Sequence, residues 1–508
     1  MQQLKNIQTV GTSDSITLFW DKPQGDAGSG TYEIRMDGTV YGTTDKTHFT
    51  LEHLDADREY RVEIGRQGTD GMKTVSHPLL LRTEPEKERL DVTKAPYYAA
   101  GDGKTLNTAA IQRAMDDCGA HQAVYLPAGV YLTGALRMHS DMELYLEEGA
   151  VLQGTDRVED YLPKIWSRFE GTEMECYSSL LNMGRMDHET GYNCENVVIR
   201  GKGTIAGGGS RLAKKVIKTE RERLKEELAA LGDGIAAYEK ADTLPGRVRP
   251  KLINISNARN VVIDGLDLRD GACWNVHMIY SGHIVTHHCS FHSRGIWNGD
   301  GWDPDSSTDC TIFACTFDTQ DDSIAVKSGK NPEGNVINRP CERIRIFDCN
   351  CAYGHGFAIG SEMSGGVDGI AIWDCDLGNS AYGIELKGTR KRGGYIRNVH
   401  VRDCVVPRIL FHSVGYNDDG EGAGMPPVFE KCLFERLEIT EEFTDVDVTG
   451  ERLACTGIEL CGFEEEAYHI KDVIFRNVAG KGQGGVSVKM KYCKNVLFEG
   501  VEAMEAMA

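Results

Sequence analysis

No run of 18 apolar residues occurs in the 508-residue chain, so no segment predicts a membrane-spanning helix. Positive charge is in short supply. The 56 Lys and Arg are outnumbered by 77 Asp and Glu, for a net charge of −21, which argues against nucleic acid or an anionic membrane as partner. A polyanionic carbohydrate stays open, because a small basic site can hold one locally. The opening residues, MQQLKNIQTVGTSD, lack a basic stretch followed by an apolar core and do not read as a secretory signal. The expectation is a cytoplasmic protein, or a secreted or periplasmic one if a signal has been removed. In a chain of this kind the 16 cysteines read as free buried thiols rather than disulfides.

Residues 1–84 alternate apolar and polar residues in ITLFWDKP, TYEIRMDGTVYG and EYRVEIGRQG. That pattern predicts short antiparallel strands in a small β-sandwich. Trp20, Leu54 and Tyr60 resemble the fibronectin type III pattern, in which the tyrosine makes a corner hydrogen bond. Residues 85–96, polar with two prolines nearby, read as a linker. The domain at 97–508 begins with a short helix that carries Ile111 and Met115 on one face.

Helical signals are absent between the next motifs, and the chain repeats one short strand phrase. NVVIRGKGTI, NVVIDGLDL, HIVTHHCSF, DCTIFACTF, RIRIFDCNC, GIAIWDCDL, YIRNVHVRDC and NVLFEGV are its variants, starting roughly 23–34 residues apart where they are densest. Repeated strands with intervening turns predict an all-β solenoid. Cys289, Cys315, Cys349, Cys375 and Cys404 hold the same place in five copies and should stack as a ladder of core thiols. His287-His288-Cys289 resembles a ligand cluster, but alternation along a strand would send neighbours to opposite faces. Structural packing is the reading. Residues 211–240 break the pattern with apolar residues at helical spacing among charges. They predict a helical insertion that covers the solenoid, walls off one end of a groove, or forms the contact of a homo-oligomer.

Polar clusters fall beside successive copies of the phrase. NGDGWD carries Asp300 and Asp303; QDDSIAVKSG carries Asp321, Asp322 and Lys327. YGHGFAIGSE carries His355 and Glu362, and GIELKGTRKRGG carries Glu385, Lys387, Arg390 and Arg392. Stacked coil on coil, they would form one patch. On a regular strand Asp321 and Asp322 would face opposite ways, so both reach the patch only if the backbone bends there. Clustered carboxylates push one pKa up, leaving an acid beside bases, as glycosidic cleavage requires. Calcium ligation and solvated turns are the alternatives. Asp303-Pro304-Asp305 lacks an EF-hand ligand loop, and a lysine follows close behind Asp322, so no metal and no cofactor is expected. Asp303, Asp305, Asp309 and Asp318 read as turn formers. GKGTIAG and GHGFAIG do not match a nucleotide-binding glycine pattern.

In order and spacing, NGDGWD, QDDSIAVKSG, YGHGFAIGSE and GIELKGTRKRGG resemble the four signature segments of glycoside hydrolase family 28, the polygalacturonases, over about residues 92–508. The resemblance implies a right-handed parallel β-helix that hydrolyses pectic chains with inversion and without a metal. It implies Asp321 as general acid, Asp300 and Asp322 as activators of water, and His355 as a group that helps set the acid's protonation. It implies Lys387 on the galacturonate carboxylate; Asn298 and Gln320 read as substrate contacts or as supports behind the catalytic groups, and Glu362 is a further candidate substrate contact. One arginine is missing: Glu385 stands where the family carries it, and a carboxylate does not replace a bidentate clamp. Arg390 or Arg392 would then reach in from the following loop, or the subsite holds a branched or rhamnose-containing pectic chain. An exo-acting hydrolase is the expectation. A calcium-dependent pectate lyase and a non-catalytic carbohydrate-binding β-helix are the alternatives.

Overall fold

The computed structural model describes residues 2–23, 30–67, 73–238 and 240–505. They divide into two compact units, Met1–Arg89 with Gly119–Ala123, and Leu90–Cys118 with Val124–Ala508. In the first, an antiparallel sheet of Gln8–Gly11, Ile16–Phe19 and His48–Leu51 accompanies a larger sheet built on Tyr32–Met36 and Glu59–Gln67. Their apolar faces bury Trp20, Tyr32, Ile34, Leu51 and Val62. Tyr60 Oη accepts a hydrogen bond from the Asp55 amide at 2.7 Å, a tie across the corner that its position suggested.

The second unit begins inside the stretch read as linker. The Val92 amide donates to the Tyr125 carbonyl at 3.1 Å, and the Val92 side chain is buried in the solenoid core. The helix follows at Thr108–Asp117 with Ile111 and Met115 inward. The repeated phrase then makes a single sheet. Cys194–Gly201, Ala258–Asp264, Gly282–His287, Thr311–Phe313, Cys341–Phe347, Val367–Trp373 and Tyr395–Arg402 follow one another as parallel neighbours, one per coil. A 12-stranded sheet, and an 8-stranded one followed in later coils by a 3-stranded one, complete the turns, so this unit is a parallel β-helix.

Parallel stacking puts equivalent side chains above one another. The five phrase cysteines are buried in register, and the Cys289 and Cys375 amides each point at the next coil's sulfur at 3.4 Å. His287, Phe313, Phe347 and Trp373 form a second ladder, with ring centroids 5.0, 4.9 and 4.4 Å apart and planes within 6° of parallel. Each such pair contributes about 0.5–1.5 kcal/mol beyond its burial.

Three expectations need correction. Asp303 and Asp305 are not turn formers; they lie on the strand Trp302–Asp305, fully buried. Asp318 ends the strand Thr316–Asp318, whereas Asp309 does take a left-handed turn conformation at φ 56°. His287 and His288 are not split to opposite faces. His288 adopts φ 52°, which breaks the alternation and brings its ring against that of His287. The insertion folds as two helices, Gly209–Arg223 and Lys225–Leu231, followed by short turns. Leu212 and Val216 pack on Tyr161 and Tyr177.

Candidate active site

Successive strands of one sheet, Trp302–Asp305, Ile324–Val326, Gly356–Ile359, Gly383–Gly388 and Ile409–Ser413, are stacked in that order. A cleft of about 740 Å³ opens beside them. It is lined by Asn298, Asp300, Gln320, Asp321, Asp322, His355, Glu362, Glu385 and Lys387. Those are nine of the eleven candidate residues.

Backbone bonds between coils set this convergence. The Gly301 amide donates to the Asp322 carbonyl at 3.0 Å, and the His355 amide to the Asp321 carbonyl at 3.0 Å. Asp321 and Asp322 sit in the bend between Thr316–Asp318 and Ile324–Val326, which is why both face the cleft. The glycines flanking His355 are steric necessities. A Cβ at Gly354 would meet Thr319 Oγ1 at 2.4 Å, and one at Gly356 would meet the Gly383 carbonyl oxygen at 2.4 Å. Gly299, too, tolerates nothing larger, since a Cβ there would lie 2.7 Å from the Ile296 carbonyl oxygen.

The electrostatics sort the carboxylates. Asp300 is buried and accepts from Lys327 Nζ at 3.2 Å. Burial raises its pKa; Lys327 opposes this, but Asp321 and Asp322 add to it, and the carboxyl ends well above the usual range. Asp303 behind it is raised in the same way, by burial and by Asp300. Asp321, a quarter exposed, has its Oδ1 3.1 Å from His355 Nδ1. Burial works to raise Asp321, but His355 and then Lys387 outweigh it and hold the carboxylate well below its ordinary value. His355 moves the other way: burial would lower it, yet Asp321 dominates and raises it well above 6.5. The proton of the pair therefore rests on the imidazole, and the two groups titrate together. His355 is also 3.5 Å from Asp322 and 3.4 Å from Asp447.

Lys387 Nζ lies 3.2 Å from Asp322 and 2.9 Å from Glu385, whose other oxygen meets His412 Nε2 at 2.6 Å. Burial works to raise Glu385, but Lys387 and His412 bring it to about 2. It is thus an ionised carboxylate held between the Lys387 ammonium and the His412 ring. Neither arginine compensates for it. Arg390 is exposed and pairs with Glu465, and Arg392 is buried with its guanidinium on Ser361, Asn331 and Asn417. Both arginines stand outside the cleft lining, so their assignment as substrate contacts is withdrawn. Asn298 accepts from Arg249 at 2.5 Å, and Gln320 donates to the Val446 carbonyl at 3.1 Å. Glu362 accepts from Lys327 at 3.4 Å.

Several lining residues have no motif to announce them: Trp274, Trp297, Tyr382, His412, Tyr416 and Asp447. His412 could have been found by aligning coils, since it stands in register with Lys387. Lys240, at the end of the insertion, also lines the cleft. The ligand atoms of Asp321, Asp322 and His355 lie within 4.8 Å of one another, a spacing a cation could use. The imidazole proton and the nearby Lys387 ammonium already supply positive charge there and would repel one.

The arrangement offers a proton donor pair, carboxylates able to orient water, and a lysine suited to an acidic sugar. The family description "Glycosyl hydrolases family 28" matches residues 168–414. An exo-poly-alpha-D-galacturonosidase of Dickeya chrysanthemi is 25% identical over 96% of this chain and 88% of its own length. A family 28 exopolygalacturonase structure from Yersinia enterocolitica superposes at TM-score 0.81 over 100% of this chain and 97% of its own, at 22% identity. An exopolygalacturonase structure from Thermotoga maritima reaches TM-score 0.64 at 25% identity, over 81% of this chain and 92% of its own.

Proposed function

From the premise that this chain belongs to family 28 of the glycosyl hydrolases, we propose that it hydrolyses galacturonic acid linkages of pectic chains, working from a chain end. The observation that carries this reading is the single cleft in which Asp300, Asp321, Asp322 and His355 meet Lys387. His355 passes its proton across 3.1 Å to Asp321, which gives it to the glycosidic oxygen as the C1–O bond breaks. Asp300 and Asp322 orient a water that attacks C1 from the opposite face, and Asp322 takes up its proton. The configuration at C1 is inverted, the outcome expected when carboxyl groups leave room for water between them. Lys387 meets the sugar carboxylate in a charge-assisted contact. Lys240, from the insertion, lines the cleft, which supports a groove with one closed end.

Oligogalacturonides of defined length, followed by chromatography and by NMR of the new anomeric centre, test the proposal. Short products from one end at the earliest times, with inverted configuration, are expected. Long oligomers at early times would overturn the terminal mode, and unsaturated products would overturn hydrolysis itself.

His355 provides a second test. Its raised pKa means that the imidazolium contributes stability below the ordinary value of ~6.5, which is lost as pH rises through the raised one. By the same sign, the donor pair keeps its proton until that higher pH. In His355→Gln the proton can rest only on Asp321, so the alkaline limb of kcat/KM should move to lower pH. Near neutrality the rate should fall by about 10²-fold. An unmoved limb would show that another group holds the proton.

A further inference from the structure

On the sheet that carries the repeated phrase, away from the cleft, Asp264 ends the strand Ala258–Asp264 and His287 ends its parallel neighbour Gly282–His287. The two residues stand directly in register. Because His288 turns left-handed at φ 52°, its ring folds back beside them instead of pointing away. Asp264 Oδ1 is 3.0 Å from His287 Nδ1 and 3.8 Å from His288 Nδ1, and the two ring nitrogens are 2.8 Å apart.

One proton cannot serve all three contacts. If His287 Nδ1 donates to Asp264, it has no lone pair left for His288; if it donates to His288, the carboxylate oxygen loses it. A cation at the centre satisfies all three atoms together. A tetrahedral metal with bonds of about 2.0–2.1 Å places its ligand atoms ~3.3 Å apart, close to the mean of this triangle. Two imidazole nitrogens and one carboxylate oxygen are a donor set for zinc and its first-row neighbours rather than for calcium or magnesium.

The surroundings suit a binding site. His287 is buried and held by face-to-face stacking on Phe313, with centroids 5.0 Å apart and planes 4° from parallel, so that ligand's ring is fixed in advance. His288 is 42% exposed in its side chain and leaves a way in for an ion and a fourth position for water. Arg200, opposite Asp264 in register, is turned to Glu143 at 2.6 Å and lies over the Tyr145 ring. We propose that Asp264, His287 and His288 form a binding site for a first-row divalent transition metal of the zinc class, separate from the hydrolytic cleft.

The test uses the full chain, stripped with a chelator and titrated with cobalt(II). One ion per chain should bind, with the visible absorption of a nitrogen and oxygen site. Asp264→Asn and His288→Ala should each weaken binding by about tenfold or more, and Asp321→Asn should leave it unchanged. Zinc should raise the Tm of the parent chain and not that of His288→Ala, while His288→Ala keeps its hydrolytic activity. The exposed position of His288 makes that variant safe for folding. Absence of saturable binding, a near-UV cobalt–thiolate band, binding untouched by His288→Ala, or loss in Asp321→Asn would each overturn the proposal.

Discussion

Asp321→Asn should lower kcat by about 10²–10⁴-fold, the usual contribution of a positioned proton donor, with KM changed little. Asparagine has the same shape, and its side-chain oxygen can still accept the 2.9 Å hydrogen bond from the Asp322 amide. Fold and cleft should therefore survive, as an unchanged Tm would verify. Lys387 and its partners, which hold the sugar carboxylate in the proposed mechanism, are left in place. What disappears is the carboxyl group, which alone can take a proton from His355 and pass it to the leaving group. A loss in kcat and in kcat/KM together is the signature of an interaction made only in the transition state. A variant that keeps more than about a tenth of the parent rate would show that the proton enters from elsewhere, and Asp300 with its raised pKa would be the next candidate.

Lys327→Met should destabilise the protein by about 3–5 kcal/mol, the range for breaking a buried ion pair from one side. Lys327 is buried between Asp300 at 3.2 Å and Glu362 at 3.4 Å, and its ammonium lies over the Trp274 ring at 4.7 Å. Methionine fills similar space but leaves two buried carboxylates uncompensated. Their pKa values rise, so the instability should shrink in acid, where both can be neutral, and grow toward alkaline pH. Activity should fall as well, because Asp300 would lose the lysine that holds its carboxyl in place beside the attacking water. Denaturant melts across pH check the first statement. The Lys327→Met, Glu362→Gln double variant checks the cause: it should recover stability without recovering activity. A single variant as stable as the parent at alkaline pH would sink the argument.

Much of the molecule could be read from the sequence, and the failures have physical reasons. The strand phrase repeats because parallel coils stack like on like, so the solenoid, the thiol ladder and the carboxylate cluster were all visible as periodicity. The acid–base pattern was legible only in part. Sequence suggested that one carboxyl would be raised, but it is Asp300 and Asp303, while Asp321 has its proton parked on His355. That division depends on burial and on the contact of Asp321 with His355, and neither has a one-dimensional signature. Asp303 and Asp305 were misread for a related reason. Asp-Pro-Asp favours turns locally, yet here it lies in a strand whose second aspartate is held by Arg168 at 2.7 Å, from a hairpin 137 positions away in sequence. Arg390 and Arg392 looked like replacements for a missing clamp because they are near Lys387 in the chain; a turn points them elsewhere. Strict alternation failed at His288 because a single left-handed residue resets which face follows.

The cysteine ladder has a consequence for time rather than for stability. Thirteen of the sixteen thiols are sealed in the core, and Cys455, Cys461 and Cys493 are the partly accessible ones. A reagent that alkylates thiols thus meets almost nothing while the coils stay closed, and gains a sulfur each time one parts from its neighbour. Since the phrase cysteines occur once per coil, the order in which they become labelled is a record, written in mass, of the order in which the solenoid comes undone.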